Sequence, residues 1–342
     1  MQTKRLLLTG GTGFIGKYLL EYAKEEGFEV WVAVRKESRN KVDVATNVHL
    51  LEVDFSRKEN LIAAFRTIVT EEAQPPFHYV IHNAGVTKTF DIRDYQVVNA
   101  SYTEYLLSAL QSFEYLPYRF FLMSSMGSYG ANFTNAPLRA DMEQKPNTAY
   151  GRSKKQAEEY VKQSPIPYTI LCPTGVYGFG DQDYLLSIKT MMKGWSFVSG
   201  LTPQRLSFVY VKDVAAAVFF LLTRSEAEQK TYLLSDGKAY TDSQFTQIIR
   251  KLTRKKIREV RIPIFIIKMA CELGFVYSKI TRKPFVLNRD KYPILKQRNW
   301  LCDVTPLLNL GFVPRYDLEE GLRETFLMAG IASEEKTHSR NL

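Results

Sequence analysis

Tyr150 and Lys154 stand four residues apart in the stretch YGRSK, a spacing that puts both side chains on one face of a helix. A phenol titrates near ~10, and a neighbouring ammonium favours its ionised form, so such a pair can move a proton to or from a bound oxygen near neutral pH. Two serines, Ser124 and Ser125, close the apolar run of FLMSSMGSYG. A hydroxyl at that point can hydrogen-bond a carbonyl and steady the charge that develops on it. The chemistry these residues suit is proton handling while a carbonyl and an alcohol interconvert. Tyrosine and lysine at helical spacing also make an ordinary surface pair, so the weight of the reading rests on the elements around them.

The motif TGGTGFIG, residues 9–16, follows an apolar strand and opens a helix, the context a dinucleotide-binding turn requires. Gly10 and Gly11 allow a tight turn, Gly13 lets backbone approach a pyrophosphate, and Gly16 lets helix pack on strand. The helix start that carries Phe14 and Ile15 adds main-chain donors and a positive dipole end. At the end of the next strand, an acid would accept from a ribose 2′-hydroxyl, whereas arginine accommodates a 2′-phosphate. Here the strand ends in Arg35 and Lys36, with Arg39 close by and no acid before Glu37. The chemistry predicts NADP(H), with NAD(H) as the alternative if these cations only decorate a surface turn. Asp54, after the third strand, is placed to accept from an adenine amino group.

The elements that must position these groups alternate. Strands are predicted at 5–9, 29–34, 48–53, 79–81, 120–123 and 169–171, separated by helices at 14–26, 57–72, 95–112 and 150–163. Strands spaced by helices imply βαβ units and a parallel sheet. The fold class is therefore α/β, a Rossmann doubly wound sheet with a smaller C-terminal substrate-binding domain. Ser124 and Ser125 then fall at the carboxyl edge of the fifth strand, where open α/β sheets bind ligands. Residues 1–180 are assigned to the nucleotide domain, with returning segments at about 206–235. Residues 181–330 mainly form the substrate domain, with a helix at 184–193, a strand at 208–211 and a helix at 214–222. Residues 331–342 are a polar tail.

Composition removes whole classes. The chain has 342 residues, 45% hydrophobic and 24% charged, which rules out low-complexity disorder and a disulfide miniprotein. Cys172, Cys271 and Cys302 are odd in number and widely spaced, so no disulfide framework or metal cage is expected. The net charge is +10, yet the one dense cluster, residues 250–258, has no interleaved aromatics for stacking on bases. Nucleic acid is not expected as a partner, and the cluster suits a helix end, where cations complement the macrodipole. The opening apolar run is too short for a signal peptide, and the apolar stretch 262–277 is interrupted by Pro263, Lys268 and Glu272, so no spanning helix is expected. A cytoplasmic location follows as the expectation.

With these motifs in place, the sequence resembles an extended short-chain dehydrogenase/reductase of the NAD-dependent epimerase/dehydratase type along essentially its whole length. The match runs through TGGTGFIG at 9–16, HNAG at 82–85, Asn99, SSMGSYG at 124–130 and the Tyr150/Lys154 pair. It continues through PTGVYGFGD at 173–181, FVYVKD at 208–213 and LGFVPRYDLEEGLRET at 310–325. The resemblance implies Ser125, Tyr150 and Lys154 as a catalytic triad. Ser125 is preferred over Ser124 because it stands five residues before Gly130 and 25 before Tyr150, the family spacing. The resemblance also implies that Lys154 holds the nicotinamide ribose, that Asp54 and Phe55 line the adenine pocket, and that Ala84 and Pro173 flank ribose and nicotinamide. Asn99 joins them as a cofactor-site residue.

Departures from the family pattern bear on the substrate. Gly175 stands where nucleotide-sugar members commonly carry asparagine, and Leu206 where they place a diphosphate-clamping arginine, with Arg205 one step earlier. Met126 and Gly127 replace the acid pair that dehydratases put beside the serine. The pattern is closer to the 3β-hydroxysteroid dehydrogenase and dihydroflavonol-reductase side of the family. The expected function is interconversion of a secondary alcohol and a ketone on a small hydrophobic substrate. A nucleotide-sugar epimerase is the alternative enzyme, and a non-catalytic nucleotide-sensing scaffold the alternative of another class. Retention of all three triad residues argues against the last. The stretch 262–277 is apolar enough to cover a lipophilic ligand, to pack as ordinary core, or to rest on a membrane surface. A homodimer is left open.

Overall fold

The computed structural model describes residues 4–42, 46–68, 74–282, 285, 287 and 289–331. The tail beyond 331 and the end of the helix expected over 57–72 lie outside the described residues. Strands β1 (Arg5–Thr9), β2 (Glu29–Val34), β3 (Val48–Glu52), β4 (Tyr79–His82), β5 (Arg119–Met123) and β6 (Tyr168–Pro173) enter one sheet. Later in the chain come β7 (Gly175–Tyr177), β8 (Trp195–Ser199), β9 (Arg205–Leu206), β10 (Phe208–Tyr210), β11 (Lys230–Leu234), β12 (Tyr240–Thr241) and β13 (Arg258–Ile262). The sheet runs in the order β3-β2-β1-β4-β5-β6-β11, all parallel. β1 lies in its interior, with Leu8 opposite Val32 of β2 on one side and Ile81 of β4 on the other.

Parallel pairing demands crossovers, and the helices supply them: α1 (Phe14–Glu25), α2 (Lys58–Arg66), α3 (Tyr102–Leu110) and α4 (Ala149–Gln163). Side chains alternate across the sheet, so Leu6 and Leu8 join the core that holds Leu19 and Ala23 of α1, while Leu7 joins the core of α2, α3 and α4. Both faces are covered, which is why β1, β4 and β5 are wholly buried and read as nearly continuous apolar runs. The strand order reverses between β1 and β4, opening a crevice at their carboxyl ends.

The helix expected over 95–112 is instead two pieces, a π-helical segment Tyr95–Ser101 running into α3. The widened turn contains Asn99, whose side chain is tied to the main chain of Val86. Such bulges often mark functional sites.

The second half adds α5 (Asp183–Met192), α6 (Val211–Leu222), α7 (Asp242–Thr253), α8 (Ile264–Thr281), α9 (Tyr292–Lys296), α10 (Thr305–Asn309) and α11 (Leu318–Met328). Short strand pairs β7–β10, β9–β12 and β8–β13 stitch it together. A third core packs Tyr177, Phe208 and Tyr210 against Phe245, Ile249, Leu318 and Phe326. Asp213, almost fully buried on α6, accepts from the main-chain N–H groups of Arg315 and Tyr316, both at 3.0 Å. That contact joins the two late motifs, FVYVKD and LGFVPRYD, into one structure. The basic cluster behaves as expected: Arg250 and Lys251 fill the last turn of α7, and Arg254 ends it in the left-handed conformation at φ 55°.

Candidate active site

The glycine loop is shaped by close approach. Gly10 has φ +71°, and a Cβ there would lie 2.7 Å from the Ala84 nitrogen. The Gly13 N–H donates to the Gly10 carbonyl at 3.0 Å, closing the turn. At Gly16 a Cβ would stand 2.0 Å from that same carbonyl, so any larger residue would push α1 off the loop. Gly13 caps α1 without a side chain, and the first turn, with Phe14 and Ile15, carries no acid. The first N–H groups of α1 therefore face outward with the dipole's positive end, an arrangement that fits a pyrophosphate.

The Tyr150 helix is fixed at its start by two contacts. Thr148 accepts from the Gly151 N–H at 2.9 Å, and Asp290 accepts from the Ala149 N–H at 2.7 Å. Tyr150, half-buried on the first turn of α4, packs edge-on against Tyr95 with ring centroids 5.9 Å apart. Ser125 sits across from it: a Cβ at Gly127 would touch both the Ser125 hydroxyl and the Tyr150 ring at 3.4 Å. Lys154, one turn on and buried, donates to the Met123 carbonyl at 2.8 Å. Ser125, Tyr150 and Lys154 thus converge at the carboxyl end of β5. Ser124 does not join them, because its hydroxyl is turned onto the buried Glu158 carboxylate.

The electrostatics differ from the expectation in one respect. Burial raises the Tyr150 phenol above its ordinary value, and the hydrogen bond from Ser125 is what pulls it back down. The Lys154 ammonium is committed to Met123 and is itself pushed down to about 8, chiefly by burial. The Ser125 hydroxyl is thus a donor that favours ionisation of the phenol.

A hydrogen-bonded chain links the glycine loop to the π-helical segment. Thr9 accepts from the Ala84 N–H at 3.1 Å and lies 2.7 Å from His82 Nδ1; His82 Nε2 lies 2.9 Å from Thr103, which donates to the Asn99 carbonyl. Since Thr103 spends its proton on Asn99, His82 must donate from Nε2 and accept from Thr9 at Nδ1. Burial holds that neutral ring down at about 3. Asn99 itself is buried, bonded to Val86 and to Ser153 of α4. It locks the loop after β4 against α4.

The remaining predicted residues are scattered more widely. Arg35 is exposed at the end of β2, and Pro173 closes β6 on the same sheet edge. Asp54 accepts from Ser56 in its own loop and from Asn60 on the first turn of α2, which holds its carboxyl below the usual range. Phe55 is buried, stacked on Tyr102 at 5.9 Å. The reading of the sequence missed Glu158. It is fully buried and accepts from Ser124, from Gln144 at 2.7 Å and from the Cys172 thiol at 3.6 Å, with the Lys162 ammonium 3.7 Å away. Its position four residues past Lys154, on the same helical stripe, is the signal that would have found it.

The NAD dependent epimerase/dehydratase family model matches residues 6–235. The chain belongs to that family. It is 22% identical over 335 residues to a UDP-glucose 4-epimerase of Vibrio cholerae, covering 94% of each. It is equally 22% identical, over 326 residues, to a ceramide reductase of Caulobacter vibrioides, covering 93% of this chain and 92% of the relative. Among solved structures, the Bordetella bronchiseptica enzyme WbmG in complex with NAD superposes with a TM-score of 0.76 at 17% identity, covering 97% and 96% of the two chains. The parallel sheet is the fold shared with these structures. Among the described residues no helix is long and apolar enough to cross a membrane, and no cluster of His, Cys, Asp and Glu is arranged to hold a metal.

Proposed function

We propose that this family member is an NADP(H)-dependent oxidoreductase interconverting a secondary alcohol and a ketone on a small hydrophobic substrate. A bound nicotinamide supplies the carbon that gives or takes hydride. Tyr150 moves the proton at the substrate oxygen, Ser125 donates to that same oxygen, and Lys154 holds the cofactor ribose while its buried charge steadies the site. Asn99 acts through the loop it locks. The glycine loop with Phe14 and Ile15 takes the pyrophosphate, Ala84 and Pro173 flank the nicotinamide side, and Asp54 and Phe55 border the adenine. Arg35 carries the choice of NADP(H) over NAD(H).

The observation that carries the apolar substrate is the filling of Gly175. A Cβ there would lie 2.0 Å from the Tyr184 hydroxyl, and the Tyr184 ring packs against Phe208 and Phe245. An aromatic wall thus occupies the place where nucleotide-sugar enzymes carry a polar side chain. Arg205 is turned onto the Asn135 carbonyl at 2.7 Å, and Arg298 onto those of Ser199 and Thr202. Neither is held out for a diphosphate. The ceramide reductase relative, which acts on a lipid, is in keeping with this reading.

The epimerase relative spans the chain just as fully and favours a second reading, a nucleotide-sugar 4-epimerase using the same three residues. Incubating the protein with steroid, flavonoid, long-chain ketone and UDP-sugar panels while following reduced nicotinamide separates the two. Net cofactor turnover with an apolar ketone is expected; conversion of a UDP-sugar with no net turnover would overturn the reading.

A further inference from the structure

The 18-residue helix α8 is inverted. Helices on a soluble surface bury their apolar stripe and show polar residues to water. Here the inward face is narrow, with Ile267, Cys271 and Gly274 buried, while the outward face carries Phe265, Ile266, Met269, Leu273, Val276, Tyr277 and Ile280. Leu273 is 69% exposed and Ile280 77%. At about 100° per residue these seven fall on one arc roughly 120° wide, along a helix of about 27 Å. Of the three readings of this stretch, ordinary core packing is corrected: most of its apolar area faces away from the protein.

Two further features select the partner. The β8–β13 ribbon, which leads directly into α8, turns Trp195 and Phe197 outward as well. Cations border both elements: Lys255, Lys256 and Arg258 beside the ribbon, with the Arg258 guanidinium 5.9 Å from the Trp195 ring, and Lys268, Lys279 and Arg282 along α8, all exposed. The acids here are paired, Glu272 of α8 with Arg289 at 2.6 Å and Glu259 of β13 with Arg261 at 3.0 Å. An exposed apolar stripe containing aromatics and flanked by cations is the surface of an interfacial helix on anionic lipid. A second copy of the chain would bring like charges together along the same border.

We propose that α8 and the adjoining ribbon seat this protein on an anionic phospholipid surface, with the helix lying in the interface plane. The inference stands independently of the substrate reading, since none of these residues belongs to the Ser125/Tyr150/Lys154 site. The test is sedimentation of the full chain with vesicles of phosphatidylcholine alone or mixed equally with phosphatidylglycerol. Binding to the mixed vesicles is expected, weakening as salt is raised from about 0.1 M to about 1 M, which shortens screening from ~10 Å to ~3 Å. Met269→Glu with Leu273→Glu should weaken it by about tenfold or more, with a melting temperature near that of wild type. If the variant does not fold, quenching of wild-type tryptophan fluorescence by brominated acyl chains reads the same contact. Wild type left in the supernatant, or no quenching, would overturn the proposal. So would vesicle binding indifferent to the double substitution. A wild-type dimer that the substitutions dissolve would assign the face to a second copy and overturn it equally.

Discussion

The Lys154 ammonium donates to the Met123 carbonyl at 2.8 Å, anchoring the Tyr150 helix to the last residue of β5. The bond places a buried cation at the carboxyl end of β5, and burial lowers it from 10.5 to about 8. Between those values the unfolded chain binds the proton that the folded one releases, so stability rises with pH through that window and the penalty is full below it. Lys154→Met should abolish turnover and yet be more stable than wild type at neutral pH, by about 2 kcal/mol once the lost hydrogen bond is deducted. Urea unfolding at several pH values checks this: the gap should close as the pH approaches about 10.5. A less stable variant at neutral pH would show that the site holds its cation without cost.

His82 gives the opposite end of the pH range its slope. Its folded value is about 3 against 6.5 unperturbed, so the stability its neutral form contributes is complete above 6.5 and is lost as the pH falls toward 3. Between neutral pH and about pH 5 this one group should account for about 2 kcal/mol of lost stability. His82→Gln should be less stable at neutral pH but lose less on mild acidification. Parallel stability curves for the two proteins would remove His82 from the account.

Ser125 lowers a phenol that burial raises. Removing its hydroxyl should therefore cost twice, in charge stabilisation and in proton transfer. Ser125→Ala is expected to reduce kcat by about 10²-fold or more and to move the acid limb of the alcohol-oxidation profile, where the phenolate base becomes protonated, to higher pH. A slower enzyme with an unmoved limb would assign the serine to substrate orientation alone.

The framework was legible because its signals are local. TGGTGFIG after an apolar strand, and Tyr150 four residues before Lys154, are each read within one turn of chain, and the structure brings the helix and Ser125 together at one strand end. What failed to show was long-range. The buried Glu158 looks like any acid on a polar helix until Ser124, Gln144 and Cys172 close on it from three other segments. Spacing shows that Lys154 is near Tyr150 but not that burial around the ring raises its phenol. Strand pairs such as β9–β12, two residues each, carry too little periodicity to read. The outward face of α8 was invisible for another reason: apolar spacing does not say which side faces the core.

On the proposed reading, Arg35 bears the cofactor choice. A 2′-phosphate on guanidinium is a charge-assisted pair, and losing one partly exposed contact should cost about 1.5–3 kcal/mol, or about one to two decades in affinity. Arg35→Ala should weaken NADP(H) by that factor and leave NAD(H) nearly unchanged. Because Lys36 and Arg39 follow in the same turn, the triple substitution is the stricter version. Equal binding of both cofactors to wild type, with no response to Arg35→Ala, would reduce the arginine to a surface residue.

The central claim is that Tyr150 moves the proton while a nicotinamide takes the hydride, and one substitution isolates it. Tyr150→Phe keeps the ring that packs on Tyr95 and removes only the hydroxyl. The measurement is single-turnover absorbance of reduced nicotinamide on an apolar secondary alcohol, paired with cofactor titration by fluorescence. The account predicts cofactor affinity within a factor of about two of wild type and a rate lowered by about 10³-fold or more, the scale of a lost general base. A Tyr150→Phe protein that binds cofactor and transfers hydride at the wild-type rate would contradict it.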